Sequence, residues 1–277
     1  MNEWLMQHEM SIRLSAFFGI LILMGLWEIL APRRPLTISK TLRWLNNLGI
    51  VLLNNLLLRW LFPIASVGLA LLAEQEQWGV LNQIDLPIWL SMIISIVLFD
   101  GMIYLQHVVF HALPLLWRLH RMHHADIDYD VTTGSRFHPI EMILSLLIKF
   151  AVIMVLGPPA VAVLLFEVIL NGMAMFNHSN IALPIKIDRW LRYLIVTPDM
   201  HRVHHSVINH EADSNFGFNL SIWDRLFGTY QAQPIKGHQG MQIGLHQFRE
   251  PKYLTLPWLL LLPFLGKITD YVINRDG

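Results

Sequence analysis

The residues best able to do chemistry in this chain are histidines, and their spacing repeats. Residues 119–125 read Leu-His-Arg-Met-His-His-Ala, and residues 200–206 read Met-His-Arg-Val-His-His-Ser. Each stretch carries histidines at i, i+3 and i+4: His120, His123 and His124, then His201, His204 and His205. On a helix those offsets bring three imidazoles onto roughly one face. His107 and His111 add an i, i+4 pair upstream. Neutral imidazole is the commonest metal-donating side chain, and two or three on one face supply half a coordination shell. The eight clustered histidines exceed what one ion can bind, so the pattern implies two metal positions. Scattered structural histidines, or a tag, would not produce two His-x-x-His-His pentapeptides behind a His-x-x-x-His pair. His8, His238 and His246 lie outside the clusters and are left out of the site.

The elements that must position these groups are apolar. The chain has 277 residues, of which 54% are hydrophobic and only 14% charged, against about 25% charged in a soluble domain. That deficit points to lipid. Twenty basic residues balance twenty acidic ones, and no basic patch is interleaved with aromatics, so no nucleic-acid partner is expected. Cysteine is absent, which excludes disulfides, thiolate zinc sites, iron–sulfur clusters and thiol catalysis. Residues 1–10 hold Glu3 and Glu9 and no basic residue, unlike the positive start of a signal peptide.

Apolar runs at 12–31, 47–73 and 86–109 each approach or exceed the ~20 residues a span requires. The second is read as one tilted span, kinked at Pro63, with a two-pass hairpin as the alternative. Residues 142–156 and 159–176, joined at Gly157-Pro158-Pro159, read as a helical hairpin. Residues 254–265 are apolar but too short to span, and are expected to lie in or against the membrane. The loop after the first span carries Arg33, Arg34, Lys40 and Arg43 and no acid, which the positive-inside bias places in the cytoplasm. The expected fold is all-α: a polytopic membrane protein with four to five membrane segments and a cytoplasmic, histidine-rich dimetal cap. It is one integral-membrane domain, 1–277. Transmembrane helices occupy 12–110, the histidine-rich region 111–253 contains the hairpin 142–176, and a membrane-associated segment fills 254–277.

Several polar groups fall at membrane depth or beside the clusters. Asp100 and Tyr104 share a helix face with His107. Asp100 can accept the free N–H of a ligating imidazole or make a helix-packing hydrogen bond. Glu167, Asn171 and His178 share another face, which could look into the metal site. Asp126, Asp128 and Asp130 alternate like a calcium loop but lack its glycine and distal glutamate, so they read as a solvated turn. Trp117 and Phe137 read as interface anchors, with lining of a lipid groove as the other role.

With these residues in view, the chain resembles the fatty acid hydroxylase/sterol desaturase superfamily of integral-membrane dimetal oxidases. The resemblance runs from about Asp100 to Thr229. It is carried by Asp100-x-x-x-Tyr104-x-x-His107-x-x-x-His111, His120-x-x-His123-His124, Arg136-Phe137-His138-Pro139, Asn177-His178-Ser179-Asn180, His201-x-x-His204-His205 and Trp223-Asp224-Arg225-Leu226-Phe227-Gly228-Thr229. It implies a non-haem di-iron centre that uses O2 to hydroxylate or desaturate an unactivated C–H bond of a membrane lipid. It also implies metal ligation by His107, His111, His120, His123, His124, His201, His204 and His205, with His178 as a ninth ligand. His138 is a further candidate, as a ligand, a group behind the ligands or a helix-entry residue. Some members carry another histidine four residues before His178; Ala174 stands there, so a ligand set copied from those members does not transfer.

Imidazole suits iron, zinc, copper and nickel alike, so the donors alone do not choose the metal. A lipid-facing, all-histidine site with no evident nucleophile favours a redox metal over zinc, which has no redox chemistry. No dinucleotide or haem motif supplies electrons, so an external ferredoxin or cytochrome is expected. The competing readings are a zinc-dependent membrane hydrolase, a metal carrier and a non-catalytic metal- or lipid-binding relative. A bacterial inner membrane with the site on its cytoplasmic side is the expected location.

Overall fold

A computed structural model describes residues 2–267 of the chain, and among them the secondary structure is helical, with no strand beyond isolated bridges. Helix α1 runs Asn2–Leu30, α2 Lys40–Leu61, α3 Ser66–Gln75, α4 Ile88–Ala112 and α5 Pro114–His124. Then follow α6 Pro139–Leu156, α7 Ala160–Asn177, α8 Ile185–Leu191, α9 Pro198–His204, α10 Asn209–Ala212, α11 Ile222–Leu226, α12 Gly237–Gly240 and α13 Leu256–Leu261. Five segments are long and apolar enough to cross a membrane: 7–30, 40–82, 88–112, 139–156 and 160–177.

Local sequence sets the breaks. Ala31-Pro32 ends α1, and the Ser39 hydroxyl accepts from the Leu42 N–H to open α2. The α2–α3 run is interrupted at Phe62-Pro63 but continues in one direction. Phe62 meets Phe150 partway along α6 (centroids 5.8 Å apart), and Gly79 packs on the backbone of Gly157 beyond the end of α6. It therefore crosses once, as a broken span, and is not a hairpin. Gly157 closes α6 in the left-handed conformation (φ 65°), where a Cβ would stand 2.3 Å from the Trp78 carbonyl oxygen.

The apolar core has two levels. Phe99, Ile103, Ile153, Val163 and Phe166 join α4, α6 and α7 to α3. Ile50, Trp117, Met122, Leu259 and Leu262 bind α2, α5 and the segment around α13. Thus 254–267 packs its inner face on the histidine-bearing helix α5 while Leu261 and Phe264 stay exposed. Residues 268–277 of the predicted C-terminal segment lie outside the described residues. The C-terminal ends of α1, α4 and α7 and the starts of α2 and α6 meet at one end of the bundle, which carries α5 and α9.

Charges inside this bundle are paired. Glu167 sits between Lys149 (2.5 Å) and Arg13 (2.5 Å), and Asn171 bonds back to the Glu167 carbonyl. The expectation that Glu167 and Asn171 look into the metal site is therefore corrected. At membrane depth the carboxylate takes the two cations across the helix interface, and only His178 of that face reaches the cap. The Asp126–Asp130 segment is likewise not a solvated turn, because all three acids are buried. Arg43 of α2 is fully buried between Asp126 (2.8 Å) and Asp130, and Asp128 accepts from the Thr37 and Ile38 N–H groups. Three acids in a row compensate buried cationic and N–H donors brought from the α1–α2 connection. Burial pushes the Asp126 carboxyl up, but Arg43, Arg136 and the Thr133 hydroxyl together hold it below its usual range.

Candidate metal centre

Nine imidazoles converge at the cap end in two groups. His107, His111, His120, His124 and His204 form one; His123, His178, His201 and His205 form the other. Within each group one nitrogen per residue lies within 4.8 Å of every other, and all nine side chains are buried. Helix α4 contributes the i, i+4 pair His107/His111, α5 and α9 contribute the pentapeptides, and His178 stands at the C-terminus of α7. Gly134 lets the segment before α6 close over His178. A Cβ there would meet the Ala174 carbonyl oxygen at 2.2 Å and His178 Nδ1 at 3.1 Å.

The backs of the rings fix their tautomers. His107 Nδ1–H donates to the Phe216 carbonyl (2.8 Å), His178 Nδ1–H to the Ala174 carbonyl (2.8 Å) and His204 Nδ1–H to the Ser214 carbonyl (2.8 Å). His120 Nδ1–H donates to the buried Glu141 carboxylate (2.7 Å). Their Nε2 atoms therefore present lone pairs to the interior. His107 Nε2 and His120 Nε2 stand 3.1 Å apart with both protons already committed elsewhere, so lone pair faces lone pair. The same 3.1 Å separates His111 from His124, and His178 from both His123 and His201. The His107–His120 contact repels unless a cation lies between the two nitrogens. Ligands ~2.1 Å from one ion at right angles stand about 3.0 Å apart. The buried Nε2 atoms of His204 and His205 have no protein partner either. The donor set fits two metal ions.

Electrostatics favours the neutral, ligating form. Burial holds His123, His124, His178, His201, His204 and His205 well below the ordinary imidazole value, and mutual repulsion among the rings deepens the shift. Aromatic walls exclude water. Phe137 stacks on His123 (centroids 4.7 Å apart, 11° between planes), Trp117 lies 4.8 Å from His111, and Phe216 lies 5.1 Å from His111. Trp117 is 1% exposed, so it is a wall of the site and not an interface anchor.

The other expected site residues stand elsewhere. His138 belongs to neither group: its Nδ1 accepts from the Ile140 N–H to cap α6, and its Nε2–H donates to the Leu260 carbonyl (3.3 Å). Asp100 meets no imidazole; one of its oxygens accepts from the Trp223 indole (2.8 Å) and the Leu220 N–H (3.1 Å). The Tyr104 hydroxyl bonds Thr229 (2.9 Å). Glu141 was not singled out from sequence, although an acid in the first turn of a membrane helix is itself a signal. Its partner His120 lies 21 positions away, beyond any helical spacing.

The family model for fatty acid hydroxylases matches residues 92–229, half of the chain and every histidine of both groups. The chain belongs to the fatty acid hydroxylase/sterol desaturase superfamily. Among its relatives, the ornithine lipid hydroxylase of Rhizobium tropici is 28% identical over 53% of this chain and 44% of its own length. The human alkylglycerol monooxygenase is 27% identical over 54% of this chain and 32% of its own. A fatty acid hydroxylase of a Lecanicillium species is 23% identical over 70% and 60%. The chain thus spans less than half the length of the first two. No solved structure matches it.

Proposed function

We propose that this protein is an oxygen-dependent lipid hydroxylase whose two histidine groups hold a pair of iron ions. The observation that carries this reading is the convergence of nine buried imidazoles, four of them with the Nδ1–H bonded outward and the Nε2 lone pair inward, at the end of five membrane-spanning segments. The lipid-oxidising names of the relatives support the reaction class. Bound there, the irons would supply O2 activation for attack on a C–H bond. His107, His111, His120, His124 and His204 would hold one ion, and His123, His178, His201 and His205 the other. Glu141 orients His120 and keeps its proton on Nδ1. Phe137, half-buried and stacked on His123, is the natural wall for an apolar chain reaching the site from the bilayer. Desaturation is the alternative outcome of the same hydrogen abstraction, set by where the target carbon is held.

The electrons come from a separate ferredoxin- or cytochrome-type protein, because the chain carries no dinucleotide or haem motif. The basic loop 32–45 supports a cytoplasmic cap, in a bacterial inner membrane. Residues 12–110, 111–253 and 254–277 are proposed to act as one integral-membrane unit. The test is incubation of the iron-loaded protein in lipid with a donor system under 18O2. Lipid gaining one labelled oxygen supports the hydroxylase. Lipid cleavage that proceeds without O2 or reductant would replace it with a hydrolase.

A further inference from the structure

The cap exposes an apolar surface that the metal chemistry does not use. Ile222, Leu226 (67% exposed) and Phe227 (54%) project from α11, beside Ile185, Ile187, Trp190 (77%), Tyr193 and Leu194 on and after α8. The two elements are joined. Ser221 N–H donates to the Leu194 carbonyl (3.1 Å), and Arg225 donates to the Arg192 carbonyl (2.9 Å) while lying over Tyr193 and Tyr230.

The depth of α11 is fixed by α4. Trp223 packs its ring against Gly101, where a Cβ would stand 3.1 Å away, and its indole donates to Asp100. Phe227 stacks on Tyr104 (centroids 5.3 Å apart, 15° between planes). At ~1.5 Å per residue a hydrocarbon core of about 30 Å takes about 20 helical residues. Counted from Trp89, at the far end of α4, that length reaches Val109. Asp100 and Tyr104 therefore lie inside the core, and so does what packs on them. The neighbouring outward residues of α4, Leu98, Leu105 and Val109, are exposed and apolar, so the surface of α11 continues a lipid-facing surface. On and just after α8, exposed Trp190 and Tyr193 accompany exposed Lys186 and Arg189, the composition of a headgroup-level segment.

Backbone outside a helix is tolerated in hydrocarbon only where its polar groups are satisfied. Around α11 the N–H groups of Gly217, Leu220, Ser221, Phe227 and Thr229 are bonded. Asp100 accepts the Leu220 N–H and the Trp223 indole, and Asp224 accepts the Gly217 N–H (2.9 Å) and the Thr229 hydroxyl (2.7 Å). We propose that α11 dips from the cap into the near leaflet of the bilayer, α8 lies at the headgroups above it, and Asp100 is the positioning residue that anchors the dip.

The chain has no cysteine, so one substitution gives one labelling site. Leu226→Cys, Trp190→Cys and, as an aqueous reference, Lys236→Cys would carry a nitroxide in nanodiscs of phosphatidylethanolamine and phosphatidylglycerol. Electron paramagnetic resonance would read collisions with O2 and with a neutral nickel complex. The expected result is a Leu226 label reached several-fold more by O2 than by nickel, Trp190 intermediate, and Lys236 reached by nickel. Easy nickel access at Leu226 would overturn the proposal, and so would low access to both reagents, which marks burial against a second copy or another protein. Asp100→Leu should raise nickel access at Leu226, and Asp100→Asn, which keeps an accepting oxygen, should restore it. An unchanged label in Asp100→Leu would remove the anchor.

Discussion

The first pentapeptide sends His120 and His124 to the five-histidine group and His123 to the other; the second sends His201 and His205 to the four-histidine group and His204 across. In both, the i and i+4 rings stay together and the i+3 ring crosses over. The reason is helical. Neighbouring residues on a helix point about 100° apart, so His123 and His124 go to different groups, as do His204 and His205. Each pentapeptide therefore builds part of both metal positions. They differ behind the rings. The first is backed by the Glu141 carboxylate and by a loop held on Arg43, whereas the second is backed by the Ser214 carbonyl and by Asn215, whose amide donates to the Met200 carbonyl (2.9 Å). Near-identical ligand motifs thus find a carboxylate behind His120 and a backbone carbonyl behind His204.

The comparison can be broken most sharply at the crossing rings. His123→Ala and His204→Ala should each abolish product and strip metal, His123 from the four-histidine group and His204 from the five-histidine group. Metal per chain by mass spectrometry and product by chromatography check this; normal turnover in both variants would refute the assignment.

Next comes the charge beneath the first pentapeptide. Arg43→Met would leave Asp130 buried without its cation and Asp126 with only Arg136, 3.9 Å away, at a cost of about 3–5 kcal/mol. The expected result is a large fall in the thermal midpoint in detergent. A midpoint within a degree or two of the parent would mean that the loop is held by something else.

Glu141→Ala should lower metal affinity ~10–100-fold, read by competition with a chelator. Glu141→Gln keeps an acceptor for His120 Nδ1 and should fall between. No comparable side chain backs His204, whose partner is the Ser214 carbonyl.

The smallest effect is shared by both pentapeptides. Their buried imidazoles protonate in the unfolded chain near the ordinary value of about 6.5 but resist it when folded, His123, His124, His201, His204 and His205 among them. The folded state binds fewer protons, so its stability is full above that value and declines as pH falls below it. Metal-free protein should lose thermal stability between pH 6.5 and 5, and metal-loaded protein should lose less. A flat profile for the metal-free form would argue against buried neutral rings.

Much of this was legible in the sequence because it is local. Three-and-four spacing marks the pentapeptides, and apolar runs mark the spans, including the kink at Pro63. What was hidden depends on partners far along the chain. Asp126 and Asp130 read as solvated because Arg43 lies 83 and 87 positions away. Asp100 read as an acceptor for an imidazole or a helix-packing hydrogen bond, and its partner Trp223, 123 positions on, could not be paired with it from spacing. Glu167 lies on the same α7 face as His178, but its charge found Lys149 and Arg13 instead. His138 read as a ligand, a group behind the ligands or a helix-entry residue, and its position before Pro139 makes it the helix cap. Helical periodicity shows which residues share a face; it does not say what that face meets.

The most direct test of two metal positions is the metal stoichiometry of the purified protein after anaerobic loading with ferrous iron. The account predicts two irons per folded chain, falling to about one when His205→Ala weakens the four-histidine group and when His124→Ala weakens the five-histidine group. A single iron in the parent protein, unaffected by one of these two substitutions, would contradict it.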